Sequence, residues 1–300
     1  MSSFPFALVD VFARQVLTGN PLAVVADADD LTESVMRSAA IEFRQSETTF
    51  ILTARDPRAA FRLRSFTPSG EEVVGAGHNS LGAWWWLAEN GRLDLRDGVN
   101  VLHQELGEHV LPLEIEEAAG RPVRVTLHQP SAEFLAEVSD QAELANALGV
   151  PDRQVVGGRV VSTGVAHLLV EVSSPAVLEQ LQPQSSTLKA ILANLGGQGC
   201  YVWARGSADG ETSARFFNPT VGIHEDAATG SAAGPLAALL VRQASSLVDQ
   251  PVTIHQGQAM GRPSRLQLVV NDDGVRLSGE CVTSVMGALA YPISEEPRWA

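Results

Sequence analysis

Three side chains stand where a proton could be moved at carbon: Glu47, His78 and Asp226. Such a step needs a base, often with an acid beside it, and pKa values set by the surroundings. Glu47 lies at the entrance of S-E-T-T-F-I-L, whose β-branched and aromatic residues read as a strand. His78 follows Gly77, and Asp226 precedes by five residues Ser231, which follows Gly230. Both glycines open apolar runs that read as helices. A helix start carries unpaired N–H groups and a partial positive charge, so it holds a carboxylate without Lys or Arg. Gly77 and Gly230 have no Cβ and let a ligand approach that backbone closely. The positive end also disfavours an imidazolium at His78, which suits hydrogen bonding or proton relay. Glu71, Glu72 and Glu225 are weaker candidates. On the residues alone each site has a second reading. Glu47 is otherwise a solvated strand-edge carboxylate, Asp226 a carboxylate favouring the helix dipole, and the two turns plain starts of core helices.

The elements that would position these groups occur twice. R-S-F-T-P-S-G-E-E-V-V-G-A-G-H-N-S-L-G-A-W-W-W-L starts at Arg64, and R-F-F-N-P-T-V-G-I-H-E-D-A-A-T-G-S-A-A-G-P-L-A-A-L-L starts at Arg215, 151 positions later. Each copy has R-x-F-x-P, an acidic pair, a small residue and Gly, then His78 or Ser231, then an apolar run. T-G-N-P-L-A-V-V from Thr18 and T-G-V-A-H-L-L-V from Thr163 add a second echo. The first run, about Asn79 to Asn90, is apolar on all sides, so the helix is expected to be enclosed, its three tryptophans filling core. In the second, Pro235 predicts a late start or a kink. Strands outnumber helices elsewhere, giving an α+β reading of two β-rich lobes, each wrapped around one helix. The changeover lies near Gln129 to Glu133.

Composition narrows the function. Twenty-one basic residues against 35 acidic ones give a net charge of −14, with no basic run, which argues against a nucleic-acid partner. Cys200 and Cys281 form no C-x-x-C pair and read as buried thiols rather than a disulfide framework. No run of 18 apolar residues spans a membrane, and the first residues lack the pattern of a signal peptide, so the expected location is cytoplasmic. His224-Glu225-Asp226 lacks the spacing of a zinc helix, and no phosphate-binding G-x-x-x-x-G-K occurs. V-V-G-A-G-H-N-S-L-G imitates a dinucleotide fingerprint through Gly75, Gly77 and Gly82, but T-P-S-G-E-E before it leaves little room for the required strand.

Read together, D-V-F-A-R-Q-V-L-T-G-N-P-L-A-V-V, Q-S-E-T-T-F, G-A-G-H-N-S, G-I-H-E-D-A-A-T-G-S-A-A-G-P-L and H-Q-G-Q-A-M-G-R-P-S-R resemble the PhzF-like family of the phenazine biosynthesis isomerase. The resemblance implies a diaminopimelate-epimerase-like fold: two pseudo-symmetric lobes, each a curved sheet or barrel around a central helix, with the site between them. The N-terminal lobe would take residues 1–128, completed by the last strand at about 285–300, and the C-terminal lobe residues 129–284. It implies Glu47 as the principal acid and base on a small, cyclic dihydro-hydroxy acid, with His78 and Asp226 as further catalytic groups. Gly77, Asn79, Gly230 and Ser231 would bind the substrate, the glycines through their N–H groups. No metal or cofactor is implied, and the expected assembly is a homodimer. A non-catalytic ligand-binding member is the alternative, with a nicotinamide-dependent dehydrogenase behind it. Two departures stand out. Ala76 and Thr229 occupy the places of the thiols in cysteine-dependent epimerases of this fold, so a two-thiol mechanism lacks its acid and base. Asn79 and Ala227 replace prolines usual in the family, which points to a substrate other than the phenazine precursor.

Overall fold

A computed structural model of the chain describes residues 2–208 and 211–292. The chain divides into two compact units, one of Met1–Leu127 with Gly279–Ala300 and one of His128–Ser278. The part of the expected last strand beyond residue 292 lies outside the described residues.

In the first unit, β1 (Ser2–Val11), β2 (Asn20–Val25), α1 (Glu33–Phe43), β3 (Glu47–Thr53), β4 (Phe61–Phe66), the short β5 (Glu72–Val73), α2 (His78–Glu89), β6 (Gly98–Leu106), β7 (His109–Ala118) and β8 (Arg121–Gln129) follow in order. The parallel pairs β2–β3 and β4–β6 each need a crossover. α1 fills the first and α2 the second. From Asn79 to Leu87 every residue of α2 is buried, because β1, β2 and β3 pack against it. Trp84 is fully enclosed and spends its indole N–H on Gln104 Oε1 at 2.9 Å. Gly82 answers the fingerprint-like pattern. A Cβ there would stand 2.6 Å from Leu22 Cδ2 and 2.8 Å from Val11 Cγ2, so the residue serves helix-to-strand packing.

The second unit repeats the plan with β9 (Glu133–Glu137), α3 (Gln141–Leu148), β10 (Val155–Ser162), β11 (Ala166–Val172), α4 (Pro175–Gln180), α5 (Ser185–Leu195), β12 (Gly199–Arg205), β13 (Glu211–Asn218), β14 (Ile223–Asp226), α6 (Gly230–Gln243), β15 (Val252–Gln256), β16 (Ser264–Asn271) and β17 (Gly274–Gly279). β18 (Cys281–Tyr291) returns to the first unit and pairs along β1. α6 begins at Gly230 and runs through Pro235 without a late start. The proline costs this helix one backbone bond, the one its N–H would have made to the Ser231 carbonyl.

The ladder order is the same in both units. β18-β1-β2-β3-β4-β6-β7-β8 corresponds to β9-β10-β11-β12-β13-β15-β16-β17, with β5 and β14 as the extra arm on β4 and β13. Aligning Arg64 with Arg215 brings the ladder registers around the site into correspondence, bulges aside. Glu47 then corresponds to Gly199, Leu22 to His167, Thr49 to Tyr201, Val73 to Asp226 and Leu106 to Gln256.

The two arginines make the same contacts. Arg64 grips Glu72 through two bonds of 2.7 Å and lies 5.1 Å over the Phe66 ring. Arg215 grips Glu225 at 2.8 and 2.7 Å and lies 5.1 Å over Phe217. The Arg215 and Glu225 side chains are only 14% and 10% exposed. Removing one partner of such an enclosed pair strands the other charge. Arg215→Met is therefore expected to cost about 3 kcal/mol in urea unfolding. Arg58→Met, which breaks an exposed pair with Asp56, should leave the midpoint where it is.

Candidate active site

In the first unit Glu47 is the opening residue of β3, half-buried, in register with Leu22 on β2. The residue before it ties this strand entrance to α2. Ser46 Oγ lies 3.2 Å from His78 Nε2, 2.9 Å from Asn20 Oδ1 and 3.2 Å from the Pro21 carbonyl. The hydroxyl has one proton and two oxygens to receive it. Directing that proton to either oxygen leaves its lone pairs for an Nε2–H of His78, and the neutral ring then presents Nδ1 as an acceptor. Glu47 and His78 thus flank one serine.

The Gly77 turn is organised by Asn79. Asn79 is buried; its Oδ1 accepts the Gly77 N–H at 2.7 Å, and its Nδ2 donates to the Gly75 carbonyl at 2.9 Å and to Ser65 Oγ at 3.1 Å. Both expected binding groups are therefore engaged with each other. Asn79 braces, by hydrogen bonds, the turn that a proline would stiffen by its ring. The N–H groups of the first turn beyond Gly77 stay directed along the helix axis.

In the second unit Asp226 ends β14, half-buried, and Gly230 and Ser231 open α6. Thr229 Oγ donates to Asp226 Oδ2 at 2.5 Å. His167, 2% exposed on β11, places its Nε2 3.2 Å from Ser231 Oγ. Its ring stands edge-on to Phe216, centroids 5.2 Å apart. Each unit therefore sets a histidine–serine pair at the start of its enclosed helix, with the partners exchanged: His78 is on the helix and Ser46 before the strand, Ser231 is on the helix and His167 on the strand. The H-Q-G-Q-A-M-G-R-P-S motif packs under the Asp226 turn. Ser264 Oγ donates to the Ala227 carbonyl at 3.0 Å, and a Cβ on Gly257 would stand 2.6 Å from the same oxygen.

The carboxylates occupy non-equivalent places in the repeat. Glu47 corresponds to Gly199, where a Cβ would come 2.4 Å from Phe216 Cζ. Asp226 corresponds to Val73. One copy keeps its acid at the strand entrance, the other at the turn before the helix. Sequence reasoning missed Ser46, His167 and Gln256. Ser46 was visible as the neighbour of Glu47, and Gln256 lay inside a quoted motif. His167 sits in the T-G echo, where its counterpart Leu22 is apolar, so the repeat itself concealed it.

Comparison with known proteins follows this geometry. The PhzC-PhzF family, described as phenazine biosynthesis-like protein, matches residues 9–287. The trans-2,3-dihydro-3-hydroxyanthranilate isomerase of Pseudomonas fluorescens is 36% identical over 262 residues, 86% of this chain and 87% of that protein. The structure of a predicted epimerase from Pseudomonas aeruginosa superposes with a TM-score of 0.81 at 34% identity, covering 96% of this chain and all of that one. A hydroxyproline epimerase from Agrobacterium vitis shares the fold, with a TM-score of 0.68 at 12% identity over 98% of this chain and 93% of its own. These neighbours give the α+β, diaminopimelate-epimerase-like fold. No helix among the described residues is long and apolar enough to cross a membrane.

The electrostatics favour neutral imidazoles. Burial lowers His78 and His167 from 6.5 to about 4, so desolvation keeps both rings uncharged at neutral pH. Once unfolded, both rings titrate near their ordinary value. Between about 4 and 6.5 the unfolded chain binds more protons than the folded one, so stability falls as pH is lowered through that window. The urea midpoint is expected to drop from pH 7 to pH 5, and His167→Gln to flatten the drop. An equally steep decline in that variant removes His167 from the account.

Proposed function

The chain belongs to the PhzC/PhzF phenazine biosynthesis-like family and is an isomerase, and on that premise we propose that it moves a proton between carbons of a small, cyclic carboxylic acid without a cofactor. Glu47 takes the proton from one carbon as a carboxylate and gives it back at another as the acid, so the step balances within the substrate. His78, held neutral, accepts or relays a hydrogen bond through Nδ1, and Asp226 assists. The substrate carboxylate is held by the N–H groups of a helix start, with the Ser231 hydroxyl at the start of α6. A net charge of −14 makes such local donors the natural anion grip. A homodimer working in the cytoplasm completes the reading, on the strength of the family resemblance.

The observation that carries the proposal is the placement of Glu47. It is an acid at a strand entrance where the sister copy has Gly199, and the adjacent Ser46 contacts His78. The absence of a thiol at Ala76 and Thr229 leaves carboxylates and imidazole as the proton-moving groups. Asn79 and Ala227 stand beside these groups in place of the family's prolines, which supports a ring substituted differently from that of the curated relatives.

Glu47→Gln should lower turnover by about 10²–10⁴-fold while KM changes little. The first probe is trans-2,3-dihydro-3-hydroxyanthranilate in heavy water, followed by a mass-spectrometric screen of small carboxylic acids for deuterium uptake. Undiminished turnover in the variant defeats the assignment. Tight binding by the wild-type chain with no exchange at carbon would instead make it a ligand sensor.

A further inference from the structure

Gln256 is 0% exposed, at the end of β15, and every polar atom of its amide is engaged. Its Oε1 accepts from the Tyr201 hydroxyl at 2.8 Å and from the Thr229 N–H at 3.1 Å. Its Nε2 donates to the Asp226 carbonyl at 2.8 Å and to Thr229 Oγ at 3.1 Å. The backbone groups fix which way the amide faces. A peptide N–H can only donate and a peptide carbonyl can only accept, so a flipped amide would set donor against donor and acceptor against acceptor.

The direction then propagates. Thr229 Oγ already accepts from Gln256, so its single proton is available for another oxygen, and Asp226 Oδ2 lies 2.5 Å away. The hydroxyl is thereby a donor to the carboxylate and cannot easily turn to accept from it. Two peptide groups, an amide and a hydroxyl make a one-way chain that ends on Asp226.

The repeat shows that the scaffold does not need this chain. In the first unit the corresponding positions are Leu106 for Gln256, Ala76 for Thr229, Thr49 for Tyr201 and Val73 for Asp226. The same ladder closes there on largely apolar side chains. A buried amide with all its hydrogen-bonding groups satisfied, at a position where the copy without the aspartate has Leu106, is explained by the aspartate.

We propose that Gln256 is a positioning residue that acts through Thr229, fixing the Thr229 hydroxyl as a donor to Asp226 and so setting the carboxylate's orientation for proton transfer. The catalytic consequence rests on the reading of Asp226 given above; the wiring does not. Around the carboxylate stand Tyr201 from β12, whose hydroxyl is already spent on Gln256, and the neighbouring Glu225, held by Arg215.

The test follows the Asp226 carboxyl carbon by NMR in protein labelled with carbon-13 at its aspartate carboxyls, the resonance being assigned by its loss in Asp226→Asn. Gln256→Leu, which installs the sister copy's side chain, should raise the carboxyl titration midpoint by about one pH unit, as should Thr229→Val. The double variant should move it no further than Thr229→Val alone, because the two act in series. Should Gln256→Leu fold poorly, the near-isosteric, uncharged Gln256→Met removes the amide without adding a charge near Asp226 and gives the same upward shift. A midpoint unmoved by both Gln256 variants, while Thr229→Val shifts it, overturns the role of Gln256. One unmoved by Thr229→Val overturns the whole chain. Turnover of the acid that shows deuterium uptake with the wild-type chain separates the two claims. The expected upward shifts together with full turnover in Asp226→Asn would leave the wiring standing and remove Asp226 from catalysis. Lowered kcat at near-constant KM in Gln256→Leu and Thr229→Val supports both.

Discussion

An arginine fork holds the turn that leads into each enclosed helix. In R-x-F the guanidinium lies over the phenylalanine two residues along and grips, with both arms, the glutamate of the returning strand. Arg64 also reaches Glu33 on α1, and Arg215 reaches the Leu178 carbonyl on α4, so each fork ties a crossover helix to the same corner. The planar fork restricts both distance and direction, which a single ammonium would not. The residue after the gripped glutamate inherits its position: Val73 in one copy, Asp226 in the other. The acid is aimed by a pairing next door to it in the chain.

Upon that corner the two copies have been filled differently. One buries Trp84 and Phe66, joins Asn79 and Thr49 through Ser65, and keeps its acid at the strand entrance with Ser46 and Glu47. The other brings an amide, a hydroxyl and a phenol into the interior around Asp226. Burying those groups unpaired would cost roughly 1–3 kcal/mol apiece, and their mutual bonds cancel most of it. The result is nearly neutral for stability while fixing the geometry of one carboxylate, which is how a preorganised site differs from a merely stable one.

The repeat, the enclosed helices and the α+β class were legible because they depend on patterns with short periods: R-x-F, the glycine turn and the all-round apolar run. Pro235 misled because an interior proline removes a single backbone bond, and the largely buried α6 continues through that loss. Asn79 was expected to meet substrate because it follows His78. Its side chain turns back onto Gly75 and Gly77, a local bond to the backbone of the kind asparagine favours in turns. Gln256 was invisible as a partner of Asp226 because 30 residues and the whole of α6 separate them in the chain. The register of a parallel pair, β13 with β15, brings them together, and register is a tertiary property. The thiols show the opposite case: Cys200 and Cys281 read as buried from composition, and burial pushes both well up.

The tight seat of Gly199 bears on the history of the duplication. With the Phe216 ring where a methyl group would need to be, no single substitution can return a carboxylate to the strand entrance of the second copy; the ring must shrink first, and Phe216 also supports His167. The second half is thus held to its present arrangement by a neighbour that would have to change before it. A carboxylate at the strand entrance is thereby reserved to the first copy for as long as Phe216 keeps its ring.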